Sequence, residues 1–318
     1  MGSCEKHSAC GKNIILKMES NIKSLELKSS LNGIKNYFSL VKFAHTIFAM
    51  PFALIGFFYG LKMINYDLQR PWLLLFVLVI LCMVFARSSA MAFNRWLDAE
   101  HDAKNPRTMI REIPGGIISK RNAMIFVVIN CVAFLITTYF INAMCFFLAP
   151  VALFVILFYS YTKRFTPLCH LVLGLGLSLA PIGAYIAVTD QFALVPVLFS
   201  FSVLFWVSGF DIIYALQDEE FDKENNLYSI PSWLGASNAL HASELLHLLS
   251  AISVIAAGMI GLFSWLYWAG VFVFFLFYQH TLVKPKDLSK VNKAFFSSNG
   301  IASVVFSGFV LLDIFINL

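Results

Sequence analysis

Nine long apolar stretches constrain this chain more than any other feature. They run at about 44–62, 71–93, 123–141, 143–161, 170–188, 194–216, 245–263, 264–283 and 297–317. A helix needs roughly 20 apolar residues to cross the hydrocarbon core of a bilayer, and each stretch is long enough. Lipid offers the backbone no hydrogen-bond partners, so a spanning segment must be a helix or part of a closed barrel. The short alternating strands of a barrel are absent. The expected fold is all-α: a polytopic membrane protein with nine transmembrane helices. Composition agrees, with 59% hydrophobic and 13% charged residues among 318 and a mean hydropathy of +0.77. A soluble domain holds about 45–50% apolar and 25% charged residues. These values exclude a water-soluble enzyme, a disordered chain and a disulfide scaffold. The six Cys show no C-x-x-C spacing, which argues against a zinc or redox motif.

The connections carry the orientation. Those after stretches 2, 4, 6 and 8 are longer and polar, and 21 of the 23 Lys and Arg fall on that side or in the N-terminal tail. Only Lys62 and Arg70 fall on the other side. The positive-inside rule makes the rich side cytoplasmic, so the N-terminus and these loops are expected inside. Residues 1–35 read as a polar cytoplasmic tail and 36–318 as one membrane domain. The tail lacks a signal-peptide pattern. Ile22, Leu25, Leu31, Ile34 and Phe38 allow one face of an interfacial helix, with a mobile tail as the plainer reading. Cys4, His7 and Cys10 have no fourth ligand beside them and are not read as a metal site. A shift of 120 residues lays stretches 1–4 on stretches 5–8, which reads as two four-helix repeats plus a final helix.

Under that shift Asn94, Asp98 and Asp102 fall on Tyr214, Asp218 and Asp222. The first set reads N94-R-W-L-D98-A-E-H-D102 and shares one helix face. The second reads D211-I-I-Y214-A-L-Q-D218-E-E-F-D222, and its acids also fall along one face. Carboxylates four apart repel one another on a helix, and at a membrane boundary they call for a counter-charge. Mg²⁺ suits such sites, because it binds through one or two carboxylates and takes other ligands from water and phosphate. Basic residues lie on the same side. Arg87 sits in an apolar run and needs a partner. R107-T-M-I-R111-E-I-P-G-G follows the first acidic set, and Y159-S-Y-T-K163-R164 closes stretch 4. Carboxylates with metal plus Lys and Arg make a diphosphate site.

These motifs resemble those of the UbiA-type intramembrane aromatic prenyltransferases. Asn94 to Asp102 resembles their N-x-x-x-D-x-x-x-D motif, and Tyr214 to Asp222 their second acidic motif. Tyr159 to Lys163 resembles their Y-x-x-x-K element, and Arg107 to Gly116 their R-T-x-x-R-x-x-P-x-G loop. Stretch 1, the second motif and S229-I-P231 look most like the bacterial 4-hydroxybenzoate polyprenyltransferase branch, which includes menaquinone relatives of the futalosine route. Arg95 stands where many relatives carry Asp, and is read as a subgroup mark of little mechanistic weight.

The resemblance implies two Mg²⁺ ions held by Asn94, Asp98, Asp102, Asp218 and Asp222, bridging the diphosphate of a polyprenyl donor. Lys163 and Arg87 would neutralise that diphosphate and Tyr159 would position it. Asp211 would lie toward the acceptor, Arg164 would meet its carboxylate, Arg111 would close over the site from the loop, and Tyr214 and Arg107 would be further substrate-binding residues. The implied reaction is Mg²⁺-dependent prenylation of an aromatic acid such as 4-hydroxybenzoate, for ubiquinone or menaquinone, in a bacterial inner membrane. No nucleic-acid partner is expected. A naphthoate or haem acceptor remains an alternative, and an ion-coupled transporter is the competing class. Transporters, however, carry their acids near the midplane on broken helices. Here only Asp211 and Asp313 lie deep. Small residues Gly174, Gly176, Ser178 and Gly183 are positioned for close helix approach or for ordinary packing.

Overall fold

Where it is described, each apolar stretch is predominantly helical, as a chain in lipid requires. The computed structural model describes residues 36–41, 50–68, 70–273, 278–284 and 287–317. The readings of residues 1–35, including the tail helix and the Cys4, His7 and Cys10 group, lie outside the described residues.

The helices are α1 (Met50–Met63), α2 (Trp72–Lys104), α3 (Lys120–Ile141), α4 (Ala143–Thr162), α5 (Cys169–Thr189) and α6 (Leu194–Ala215). After a 3₁₀ turn at Leu216–Asp218 come α7 (Glu219–Glu224), α8 (Ile230–Ile260), α9 (Trp265–Val273), α10 (Tyr278–Leu282) and, behind a π turn at Lys293–Ser298, α11 (Asn299–Ile316). Among the described residues, seven helices are long and apolar enough to cross a membrane. The first expected span falls on the shorter α1, with 42–49 outside the described residues. The eighth falls on α9 and α10, with 274–277 outside. The protein is therefore a polytopic helical membrane protein.

Two boundaries differ from expectation. The second stretch was expected to end near 93, but α2 has 33 residues and ends at Lys104. At 1.5 Å per residue that is about 50 Å, long enough to carry both acids beyond the hydrocarbon. Stretch 7 was expected to begin at 245, but α8 begins at Ile230 and kinks at Gly235, whose φ is 76°. Ser229 and Ser232 form a capping box there, and Pro231 fits the first turn because it has no N–H to satisfy.

The surface argues for lipid. Ile129, Ile136, Phe147, Val151, Phe154 and Met259 are all more than half exposed, an apolar covering that water would not tolerate on a monomer. Inside, small and polar residues tie helices together. Ser202 Oγ lies 2.9 Å from Ser250 Oγ between α6 and α8, and Ser208 Oγ donates to the His170 carbonyl at 3.0 Å between α6 and α5. Asn142 caps α4 by accepting the Cys145 N–H at 2.7 Å and donates to the Ile186 carbonyl at 2.8 Å. Of the glycines singled out on α5, only Gly174 requires its size, since a Cβ there would overlap the Leu204 carbonyl and Ser208. Gly176 leaves 3.6 Å to Ile156, and nothing lies within 4 Å of a Cβ at Gly183. Gly56 on α1, which the sequence did not flag, meets the Pro181 carbonyl of α5 in the same way.

Asp313, the deep acid of α11, has a structural task. It is 1% exposed and accepts N–H bonds from Ser264 at 3.1 Å and Tyr267 at 3.3 Å, plus one from the Ser264 hydroxyl. It caps α9 from another helix, satisfying amides that would otherwise lack partners.

Candidate active site

α2, α4, α5 and α6 surround a cavity of about 780 Å³, closed at one end by the 105–111 loop, α7 and Ser229. One end is charged and the other is lined by residues such as Val79, Met83, Leu148, Leu177 and Ile186. α2 contributes Arg87, Ala90, Met91, Asn94, Arg95, Asp98, His101 and Asp102. That three-and-four spacing is one broad face of a helix.

Every carboxylate of the first motif is met by a cation. Asp98 is 2% exposed. It accepts from Lys163 Nζ at 2.6 Å, Arg164 Nη2 at 3.0 Å and Asn94 Nδ2 at 3.2 Å. Arg111 reaches both oxygens of Asp102, at 2.7 and 2.8 Å. Charges this deeply buried are tolerable only when paired in this way.

The second motif departs from expectation locally. Asp211 and Tyr214 belong to α6, but the 3₁₀ turn breaks the helix before Asp218, and Asp222 sits on α7. The four residues therefore do not share one continuous helix face, although all four line the cavity. Arg107 grips both oxygens of Asp218, and its Nη1 donates to Tyr214 Oη at 2.9 Å. Its partial burial works against the charge, yet the Asp218 carboxylate outweighs this and holds the guanidinium above its ordinary range. Asn105 donates to Asp218 at 3.2 Å and accepts the Arg107 N–H at 2.9 Å, fixing the loop over the site. The Tyr228 N–H donates to the Lys163 carbonyl at 2.7 Å, which ties the end of α4 to the 225–229 connection.

Of the residues singled out from sequence, Arg87, Asn94, Asp98, Asp102, Arg107, Arg111, Tyr159, Lys163, Asp211, Tyr214, Asp218 and Asp222 all line this one cavity. Arg164 stands behind the wall. Its bonds go to the Ser160 carbonyl at 2.9 Å, the Leu97 carbonyl at 3.1 Å and Asp98.

Sequence reasoning passed over His170, Asn105 and His101, which line the cavity too. It also gave Arg95 little weight, yet Arg95 is 5% exposed in the cavity wall. Its Nε and Nη1 have no hydrogen-bond partner in the protein, and neither does Arg87 Nε. Two guanidinium groups with donors to spare suit an anionic ligand. His170 opens an apolar stretch, and an ionisable residue inside a membrane segment is a signal that would have found it.

The acidic donor set is all oxygen, from one amide and four carboxylates at the same end of the cavity. This fits a hard divalent cation that keeps waters and takes phosphate oxygens. Among the described residues, no three His, Cys, Asp or Glu converge on a single point.

The model of the UbiA prenyltransferase family matches residues 48–300. The 4-hydroxybenzoate octaprenyltransferase of Aeromonas salmonicida (strain A449) is 30% identical over 243 residues, covering 75% of this chain and 82% of the relative. That of Francisella tularensis subsp. novicida (strain U112) is 28% identical over 233 residues, covering 72% and 81%. Among solved structures, the apo form of a UbiA homolog from Aeropyrum pernix K1 superposes with a TM-score of 0.70 at 27% identity, over 86% of this chain and 98% of that one. A UbiA homolog from Archaeoglobus fulgidus bound to DMAPP and Mg²⁺ has a TM-score of 0.69 at 20% identity, over 88% and 99%, and shares the fold. The match over most of the chain and the identity to full-length relatives agree with the motifs: the chain belongs to the UbiA prenyltransferase family.

Proposed function

We propose that this protein transfers a polyprenyl group from polyprenyl diphosphate to the ring of an aromatic acid such as 4-hydroxybenzoate, with Mg²⁺, in ubiquinone or menaquinone biosynthesis. One observation carries the reading: a single cavity joins two acidic motifs and a ring of Lys and Arg at one end to apolar walls at the other. An amphiphile with a diphosphate head and a hydrocarbon tail matches that division. The curated relatives named above act on 4-hydroxybenzoate, which supports the choice of acceptor.

Asn94, Asp98, Asp102, Asp218 and Asp222 would hold Mg²⁺, which when bound supplies positive charge against the diphosphate oxygens. For the diphosphate to enter, Lys163, Arg111 and Arg107 would turn from carboxylates to phosphate oxygens. Their side chains are 29%, 23% and 33% exposed, so each has room to move. Fixed cations stabilise charge as it develops on the leaving diphosphate, often the largest single term in such catalysis. Tyr159, one turn before Lys163, would border the reacting carbon. Arg87 and Arg95 carry the spare donors for an acceptor carboxylate or a phosphate oxygen. The apolar walls exclude water, which would otherwise capture an allylic cation.

The same reading includes nine membrane spans arranged as two four-helix repeats and a last helix. It also has the N-terminus and the 105–119 loop on the cytoplasmic face of a bacterial inner membrane. The clustering of Lys and Arg on that face supports the orientation. The test is purified protein with Mg²⁺, a panel of aromatic acids and several polyprenyl diphosphates, with products weighed by mass spectrometry. An acceptor mass raised by one prenyl group less one hydrogen supports the function. Failure with every aromatic acid removes it.

A further inference from the structure

Below the tier of Lys163 and the metal-binding acids, the cavity holds a carboxylate whose partner is a histidine. Asp211 lies on α6, seven residues before Asp218 and on the membrane side of the 3₁₀ turn, about 10 Å deeper at 1.5 Å per residue. Arg87 lies the same distance before Asn94 on α2. This second tier sits between the charged head of the cavity and its apolar walls, where the first carbon of a bound donor would meet an acceptor ring.

Asp98, Asp102 and Asp218 are each neutralised by Lys or Arg. Among the described residues, no Lys or Arg lies within salt-bridge distance of Asp211. Its partner is His170, whose Nδ1 lies 2.7 Å from Asp211 Oδ2. His170 is 3% exposed, and its Nε2 accepts the Ile230 N–H at 3.3 Å. With Nε2 taking the Ile230 N–H, the tautomer that fits the geometry carries its proton on Nδ1 and donates it to Asp211. The backbone at the start of α8 thus fixes the tautomer, and the tautomer fixes the carboxylate. Asp211 Oδ2 is held by His170, while the side chain, 24% exposed, keeps its other oxygen for the cavity. A carboxylate paired with a histidine instead of a Lys or Arg, and oriented by it, is placed to take a proton.

We propose that Asp211 accepts the proton that leaves the acceptor ring, and that His170 is the positioning residue that aims it. The inference rests on the function proposed above. The bookkeeping is complete without a further reactant. The donor C–O bond breaks and its electron pair leaves with the diphosphate. A ring π pair forms the new C–C bond. The C–H bond at that ring carbon then breaks, its electrons restore aromaticity and its proton goes to Asp211.

The test uses the full chain with 4-hydroxybenzoate deuterated at the two ring carbons beside the hydroxyl. The wild type should turn over labelled and unlabelled acceptor at equal rates, because ionisation of the donor limits it. Asp211→Asn should lower kcat by about 10²- to 10⁴-fold, the usual contribution of a positioned acid or base. It should also make the labelled acceptor clearly slower and release more diphosphate than prenylated product. Continued Mg²⁺-dependent diphosphate release demonstrates that the variant is folded. Asp211→Glu, which keeps a base, should return the isotope ratio toward unity. His170→Leu should behave like Asp211→Asn. His170→Asn, which keeps an N–H donor near the position of Nδ1, should stay within tenfold of wild type with no isotope effect. Equal rates with both acceptors in Asp211→Asn, or product that keeps pace with diphosphate release, would overturn the proposal while leaving the prenyl-transfer reading intact. A wild type that forms no aryl product would overturn both.

Discussion

Lys163→Met removes one positive charge from the cavity while keeping an unbranched side chain of similar reach. Lys163 Nζ lies 2.6 Å from Asp98 Oδ2 and lines the cavity. Two unit charges 4 Å apart interact by about 4 kcal/mol at an effective dielectric of 20. The side chain is 29% exposed, so screening trims this to about 3 kcal/mol, a loss near 10²-fold in rate. Asp98, 2% exposed, would also keep only Arg164 and Asn94 as partners, which disturbs the acid as well as the diphosphate. The assay is the initial rate of prenylated product at saturating donor, acceptor and Mg²⁺. The expected result is kcat down about 10²-fold, with acceptor KM changed less than the rate, as for an interaction made mainly in the transition state. A kcat within threefold of wild type would refute the assignment of Lys163 to the leaving group.

Arg107→Gln removes the grip on Asp218 and the bond to Tyr214. A hydrogen bond to a charged group is worth about 1.5–3 kcal/mol, so kcat/KM for the donor should fall about 10- to 150-fold, measured against donor concentration. Gly174→Ala should cost about 1–3 kcal/mol through overpacking against Leu204 and Ser208, whereas Gly183→Ala should be nearly neutral. Thermal unfolding in detergent separates the two. Asp313→Ala leaves the part-buried Ser264 amide and the buried Tyr267 amide without their acceptor. It should destabilise by about 1–3 kcal/mol while leaving kcat at low temperature unchanged.

The membrane architecture and the site were legible in the sequence for different reasons. Helix in lipid is obligatory, so nine apolar runs were enough to assign the class. Asp98 and Asp102 stand four apart within an unbroken helix, and that spacing survives folding unchanged. Asp218 and Asp222 have the same spacing, but the chain turns 3₁₀ at Leu216–Asp218, and no residue there announces the break. They still reach the cavity because α7 folds back over its mouth. The end of α2 was missed because hydropathy falls at Asn94 while helix propensity does not. The tasks of Gly174, Gly183 and Asp313 depend on which neighbour each one meets, and a single sequence does not carry that. His170 was overlooked as the first residue of an apolar run, though it is bonded to an acid already singled out.

The central claim is that the two acidic motifs hold Mg²⁺ and diphosphate across one cavity. Transfer of a radiolabelled prenyl group to 4-hydroxybenzoate by purified protein, titrated with Mg²⁺, tests it most directly when wild type, Asp98→Asn and Asp218→Asn are run side by side. The account predicts product that disappears with chelator, returns with Mg²⁺, and is lost in both variants at every Mg²⁺ concentration. Undiminished transfer in either variant, or transfer that persists in chelator, would contradict it.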